Sequence, residues 1–430
     1  SYWGQNSYGA ANGGNSANWQ QPLAFYCQDN SIDAFPIAFL NIAFGTGGLP
    51  SIDLANICST ANDPVFPGSE LPNCSFLASD IQTCQSKGKI VTISIGGATG
   101  SVSYTSDAQA QQFADQIWNL FLGGSSDTRP FGNAVLDGVD LDLEGGSPTH
   151  WPAFVNQIRS HASGASKRYY ITGAPQCPFP DAWMGDIINA VGFDAIYVQF
   201  YNNFCGLNNF NNVNAWNFGT WDNWAKTTSP NPNVKIYIGA PASSTAAGQG
   251  YVDIGTLTNI IDKTRSQYSS FGGVMMWDAS QAYQNNRYDA AVKAALTNGG
   301  GAAPAPSPSS TKATTTTKAT TTTKATTTAT PTKTTSTATK TSTSAAPTST
   351  PPSSGSCGVV AAWQANVAYQ GGDQVTYNGD LWTAKWWSYG DIPGGAAGDW
   401  TNEGVCLDVQ ATRTRIAAMA SPSARRSRFV

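Results

Sequence analysis

Leu136-Asp137-Gly138-Val139-Asp140-Leu141-Asp142-Leu143-Glu144 is the stretch whose reading decides the fold. Side chains of a strand alternate between its faces, so Asp140, Asp142 and Glu144 share one face and Val139, Leu141 and Leu143 the other. Same-face neighbours lie roughly 6.6 Å apart along a strand. Three carboxylates aimed into a barrel repel each other and lose part of their hydration, so at least one is expected to hold a proton near neutral pH. A carboxyl that keeps its proton there is a general acid. Glu144, last in the row, is expected at the C-terminal mouth, where barrel enzymes keep their chemistry. The competing reading is an acidic strand end that binds a divalent cation, or a solvated edge; three acids on one face of an otherwise apolar strand weigh against it.

Outward from this strand, apolar runs recur at 35–44, 89–97, 169–176, 195–201, 234–241 and 272–277. With 134–144 itself and a partial strand at Tyr2-Trp3, the strands number eight. The stretches between them have room for crossover helices, and 107–122 and 151–161 carry apolar residues at three- and four-residue spacing. Continuous apolar strands alternating with helices imply an α/β protein with a parallel sheet. Eight such units in residues 1–297 point to a closed (β/α)8 TIM barrel.

Near residue 298 the composition changes. Residues 298–355 are dominated by Thr, Ser, Ala, Pro and Lys, with Lys-Ala-Thr-Thr-Thr-Thr beginning at Lys312 and again at Lys318. Such a segment buries too little surface to offset its ordering entropy, and reads as a disordered, O-glycosylated linker. Residues 356–407 are short, rich in Trp and Gly and bounded by cysteines, which suggests a small all-β module. Residues 408–430 carry five Arg and little apolar periodicity, and are expected to be a disordered basic tail.

Composition narrows the function classes. Charged residues make up 12% of the 430 and the net charge is −4, so neither nucleic acid nor an anionic membrane surface is an expected partner. No apolar run is long enough to span a bilayer. Aromatics reach 11%, with 14 Trp, leaving rings available for flat, weakly polar ligands such as sugars. Eight Cys with no CxxC pair favour disulfides and an oxidising compartment. With only His150 and His161, neither inside a motif, a His-based metal site is not expected, and no metal or cofactor is called for. The chain opens on Ser1-Tyr2-Trp3-Gly4-Gln5-Asn6, as if within a strand after processing or truncation, and a secreted or cell-wall-associated monomer is expected.

Asp137 to Glu144 resembles the DxxDxDxE signature of glycoside hydrolase family 18, and the resemblance extends over nearly all of 1–297, nearest to the plant and fungal class III, hevamine-like chitinases. Ser94-Ile95-Gly96-Gly97 is similar to that family's SxGG strand. Tyr197-Val198-Gln199-Phe200-Tyr201-Asn202-Asn203 resembles its sixth-strand motif, and Gly273-Val274-Met275-Met276-Trp277 its eighth. The resemblance implies an endo-acting chitinase whose partners are chitin and N-acetylglucosamine oligomers. It implies that Glu144 protonates the glycosidic oxygen, that Asp142 orients the substrate N-acetyl group with Asp140 as its partner below, and that Tyr201 hydrogen-bonds the N-acetyl carbonyl. It places Trp277 under the distorted sugar, with Gln5, Gly97, Gln199 and Asn202 lining the groove. Catalysis is then substrate-assisted: the acetamido oxygen attacks the anomeric carbon and an oxazolinium ion forms, with retention.

The same resemblance pairs Cys27 with Cys84, Cys58 with Cys74 and Cys177 with Cys205; spacing by itself does not select among the connectivities. Cys357 and Cys406 bracket the last module and are expected to staple it. Tyr369-Gln370-Gly371-Gly372-Asp373-Gln374-Val375, Gly379-Asp380-Leu381-Trp382-Thr383-Ala384 and Lys385-Trp386-Trp387 are similar to a family 5/12 carbohydrate-binding module. Tyr369, Trp386 and Trp387 are the expected chitin-binding rings; Trp363, Trp382 and Trp400 are expected in its core. Asn73-Cys74-Ser75 is a formal glycosylation sequon. Two other functions fit the same barrel: a chitin-binding lectin without catalysis, disfavoured because Glu144, Asp142 and Tyr201 are all present, and a wall-remodelling transglycosylase.

Overall fold

The computed structural model describes residues 1–298 except 101, and 360–406 except 366, 370–372, 385–387, 390, 391 and 396–399. The linker, the basic tail, Cys357, Trp386 and Trp387 lie outside the described residues. The chain divides into two units, Ser1–Ala305 and Pro306–Val430.

In the first unit all seven apolar runs form strands: β1 (Ala34–Ile42), β3 (Ile90–Gly96), β4 (Gly138–Asp142), β5 (Tyr170–Gly173), β6 (Ala195–Gln199), β7 (Lys235–Pro241) and β8 (Phe271–Trp277). A short β2 (Ser51–Ile52) adds antiparallel to β1, and the eight strands make one mostly parallel sheet in the order β2-β1-β3-β4-β5-β6-β7-β8.

The closed ladder expected of the barrel is not present as such, because no strand pairing joins β8 to β1. The N-terminal residues lie between those two strands. Trp3 makes an isolated parallel bridge with Ile37. The Trp3 amide donates to Pro36 O at 3.0 Å, and the Tyr2 amide donates to Met276 O at 3.1 Å. Two residues suffice for one contact on each side but not for a strand.

The strands bury both faces, as continuous apolar runs require. Phe35, Ile37 and Leu40 of β1, and Val91, Ile93 and Ile95 of β3, are wholly buried. The alternation in β4 holds: Val139 and Leu141 enter the main core, while Asp140 and Asp142 face the other way and are also buried. Gly138 permits the close approach of β5. Its φ is +148°, and a Cβ there would lie 1.9 Å from Tyr170 O.

Helices cover the outer face. Helix Asp107–Phe121 starts where Ser106 accepts the Gln109 amide, and its Phe113, Ala114 and Ile117 turn inward. Helix Trp151–Ala162 packs beside it through Trp151, Phe154 and Ile158. His150 and His161, at the two ends of that helix, pair with Asp107 and Asp115 at 2.6 Å, which gives both histidines structural partners. Disulfides Cys27–Cys84, Cys58–Cys74 and Cys177–Cys205 cross-link this unit in the expected pairing.

In the second unit, β10 (Gln374–Tyr377), β11 (Asp380–Ala384) and β13 (Trp400–Val405) form an antiparallel sheet, and β9 (Ala368–Tyr369) pairs with β12 (Ser388–Tyr389). Trp400 is buried, with Trp363 and Trp382 packed half-buried against the same cluster. Tyr369 departs from the expectation of an exposed binding ring. It is 9% exposed, its ring meets Trp400 edge-on, and its hydroxyl accepts the Gln364 amide at 2.7 Å. It is a core residue, because a small sheet needs a large ring to fill its interior. Cys406 is disulfide-bonded.

Candidate active site

Strand β4 delivers the acidic row to one end of the sheet. Asp140 and Asp142 sit on the strand, and Glu144 lies two residues past its last position. Asp140 is fully enclosed and its oxygens are taken by three hydroxyls. Tyr2 Oη and Ser94 Oγ each donate to Oδ2 at 2.7 Å, and Thr172 Oγ1 donates to Oδ1 at 2.5 Å. These come from the N-terminal segment, β3 and β5, so Asp140 ties neighbouring strands together. With its lone pairs used this way, Asp140 is poorly suited to the cation-binding reading.

Asp142 and Glu144 share a different partner. Gln199 Nε2, at the end of β6, donates to Asp142 Oδ1 at 2.9 Å, to Glu144 Oε1 at 3.4 Å and to Ala174 O at 2.9 Å. Two amide hydrogens thus serve three acceptors, and the Ala174 carbonyl fixes which way the amide points.

Burial dominates the proton affinities. It pushes the Asp142 carboxyl well above the usual carboxylate range, and the charges of Glu144, Asp140 and Asp181 push the same way. Burial also raises Glu144; the Gln199 bond opposes this, the Asp181 charge adds to it, and a hydrogen bond with Asp142 opposes it. Asp140 is raised by burial and held back by the Thr172, Ser94 and Tyr2 hydroxyls, in that order. Burial and mutual repulsion therefore favour proton retention at Asp142 and Glu144, over an Asp140 that all three hydroxyls address as an acceptor. That is the arrangement of a group that can give a proton and take it back.

A ring of aromatics adjoins the row. Tyr2, Phe39, Tyr201 and Met275 form a separate buried cluster with Trp277 packed against it. Trp277 stacks on Phe39 with centroids 5.8 Å apart and an interplanar angle of 17°, and meets Tyr2 at 5.5 Å. Burial, followed by the charges of Asp142 and Glu144, holds the Tyr201 phenol well above its ordinary range, so its hydroxyl remains a donor.

Gly97 lies over this cluster. Its φ is +80°, a Cβ there would come within 2.6 Å of the Phe39 ring, and its amide donates to Asp142 O at 2.7 Å. Gln5 Nε2 donates to the carbonyls of Ala38 and Asp53 at 3.1 and 2.9 Å, at the mouth of β1. Asn202 is exposed and bonded to Gln249 instead of to the acids: its Oδ1 accepts the Gln249 amide at 3.1 Å. Glu144, Asp142, Gln199, Tyr201, Gly97 and Trp277 thus gather around one spot, Gln5 stands near it, and Asn202 faces the neighbouring loop.

Four residues were not legible as site members from the sequence. Tyr2 reads there only as the tail of a strand, Ser94 belongs to the SxGG-like stretch without a role of its own, and Thr172 and Asp181 carry no motif. Tyr2, Ser94 and Thr172 matter through contacts distant in sequence, Asp181 through amides close by in the chain and through its burial near the acids; a polar residue inside an apolar run was the available signal for Thr172.

Three comparisons with known proteins bear on this geometry. The profile described as Glycosyl hydrolases family 18 matches residues 2–392. Over 299 residues the chain is 50% identical to Chitinase 2 of Rhizopus oligosporus, an alignment covering 70% of this chain and 52% of that protein. It is 44% identical over 309 residues to Endochitinase 33 of Trichoderma harzianum, covering 69% of this chain and 90% of that one. Among solved structures, the ICChI chitinase of Ipomoea carnea is similar at a TM-score of 0.56 and 31% identity, over 69% of this chain and 98% of that one. The chain spans about half the length of the two Rhizopus chitinases it matches.

Proposed function

The chain belongs to family 18 of the glycosyl hydrolases, and from that premise we propose that it is an endo-acting, class III, hevamine-like chitinase. It cleaves β-1,4 N-acetylglucosamine linkages with retention through an oxazolinium intermediate. The observation that carries this reading is the pair of buried Asp142 and half-buried Glu144, sharing the Gln199 amide and adjoining Tyr201. Retaining enzymes that rely on two protein carboxylates need one as a nucleophile; family 18 enzymes use the substrate's acetamido oxygen instead.

In this reading Tyr201 donates to the acetamido carbonyl and Asp142 receives its N–H, which aims the oxygen at the anomeric carbon. As that C–O bond forms, the glycosidic C–O bond breaks and Glu144 gives its proton to the leaving oxygen. Water then attacks the anomeric carbon, Glu144 recovers a proton from it, and the bond to the acetamido oxygen breaks. Trp277, braced by Phe39, supplies the apolar floor. Gln5, Gly97 and Asn202 line the groove.

The same reading includes a barrel closed between β8 and β1 by the Tyr2-Trp3 contacts, a Thr-rich tether over 298–355, a chitin-binding module at 356–407 that grips through Trp386 and Trp387, and a basic tail. Three disulfides suit a secreted or wall-associated monomer. Among the described residues no helix is long and apolar enough to cross a membrane.

The test is a product profile on N-acetylglucosamine tetramer and hexamer, followed by NMR. Internal cleavage with β-anomers appearing first, and no cleavage of fully deacetylated chitosan, is expected. Initial α-anomers, or efficient chitosan cleavage, would overturn the mechanism. Binding without cleavage would assign a lectin, and dominant longer products a transglycosylase.

A further inference from the structure

Asp181 belongs to no motif and touches none of the expected site residues by its side chain, yet it is a carboxylate only 5% exposed beside the acidic row. Its Oδ1 accepts the amides of Trp183 at 2.9 Å and Met184 at 2.5 Å, and its Oδ2 accepts the amide of Gln176 at 3.0 Å. No cation contributes to its environment among the described residues; burial and these three backbone bonds account for it. Burying a carboxylate with no cation beside it is costly, and three amide hydrogen bonds offset part of that cost.

What depends on Asp181 is Gln199. Pro175 O accepts the Gln199 amide at 2.8 Å, and Gln199 O accepts the Cys177 amide at 3.2 Å, so the residues on both sides of Gln176 hold the Gln199 backbone. The Gln176 side chain accepts Asn203 Nδ2 at 3.0 Å, and that same amide donates to Tyr201 O at 3.3 Å. Clamping Gln176 through Asp181 thus fixes the two residues that meet Asp142 and Glu144 from β6.

We propose that Asp181 is a positioning residue of the reaction, which holds Gln199 and Tyr201 against the acidic row through Gln176 and presents its own buried carboxyl to Asp142 and Glu144. The proposal rests on the chitinase reading for its role in turnover. The charged groups that face Asp181 are Asp142 and Glu144, on whose proton affinities its charge acts. Burial pushes Asp181 itself up to about 6. As it ionises it strengthens proton retention in the pair, so the general acid stays loaded to higher pH.

The test is Asp181→Asn, measured as kcat and KM on soluble oligomers across pH, with Gln176→Ala alongside. In Asp181→Asn the basic limb of kcat/KM is expected to move toward acid by about half a pH unit or more, with kcat falling more than KM rises. Gln176→Ala keeps the charge and loosens only the scaffold, so its kcat is expected to fall with both limbs in place. A uniform loss in Asp181→Asn at every pH, with unmoved limbs, overturns the proposal and leaves Asp181 a loop anchor. If that variant does not fold, the wild-type chain answers by carboxyl NMR. The Glu144 signal is expected to show a second inflection near pH 6, where Asp181 titrates; a single smooth titration overturns the coupling. The NMR readout needs no turnover, so an inactive wild-type chain that still shows the inflection counts against the chitinase reading alone.

Discussion

Tyr2 Oη donates to Asp140 Oδ2 at 2.7 Å, across 138 residues of chain. The bond joins the N-terminal segment to the base of the acidic row. It also stands where the N-terminal segment meets β1 and β8 through single contacts.

Tyr2→Phe removes that donor and leaves the ring. A hydrogen bond to a charged group contributes about 1.5–3 kcal/mol. Asp140 then keeps only Ser94 and Thr172, its carboxyl rises further, and it competes for the proton that Glu144 needs. A kcat lowered about tenfold, with a lower melting temperature, is expected from steady-state kinetics and calorimetry. Unchanged values of both would show that Asp140 does not depend on Tyr2.

Glu144→Gln keeps the shape and the Gln199 contact but has no proton to give or recover. A loss of about 10²–10⁴-fold in kcat is expected, with binding of N-acetylglucosamine oligomers retained by calorimetric titration. More than a tenth of wild-type turnover would remove Glu144 from the role of acid.

The buried carboxyls are expected to withdraw stability as pH rises from about 4 to about 6, while the Ser1 amine, lowered by burial to about 5, adds stability above that value. Asp181 illustrates the sign. Its proton affinity in the folded chain is raised from an ordinary 3.8 to about 6, so between those values the folded state binds more protons than the unfolded one. That contribution is fully present below 3.8 and is lost as pH rises through about 6, on the order of 2–3 kcal/mol. Asp142, Glu144, Asp140 and Asp278, also raised by burial, act in the same direction. Denaturant titrations at pH 4 and pH 7 measure this, and Asp181→Asn should flatten the difference. A pH 4 to pH 7 difference that is the same in the wild-type chain and in Asp181→Asn would contradict the shift at Asp181.

Removing everything after residue 298 should lower activity on insoluble chitin and leave hydrolysis of soluble hexamer nearly unchanged. A tethered module raises the local concentration of the catalytic unit at a surface it already grips. A stacked ring contributes on the order of 1 kcal/mol, so Trp386→Ala with Trp387→Ala should reproduce the truncation. Equal loss on both substrates would mean that the C-terminal unit supports the fold of the first.

The sequence by itself determined the strands and the row of acids on one face, because both are written in short periods. Alternation at two residues put Asp140, Asp142 and Glu144 on one face, and continuous apolar runs marked all seven parallel strands. What only the tertiary structure decided are relations between distant residues. No period connects Tyr2, Ser94 and Thr172 to Asp140, because their separations of 138, 46 and 32 residues become contacts only when strands pair side by side. Asp181 has no sequence signature for a different reason: its partners are near in the chain, but they are backbone amides, which every residue type except Pro supplies alike, and its burial is set by the fold. Tyr369 shows the opposite limit, since an aromatic in a small sheet reads the same whether it faces sugar or core, and its packing against Trp400 places it inside. Local chemistry is legible along the chain; desolvation and which groups become neighbours are properties of the folded volume.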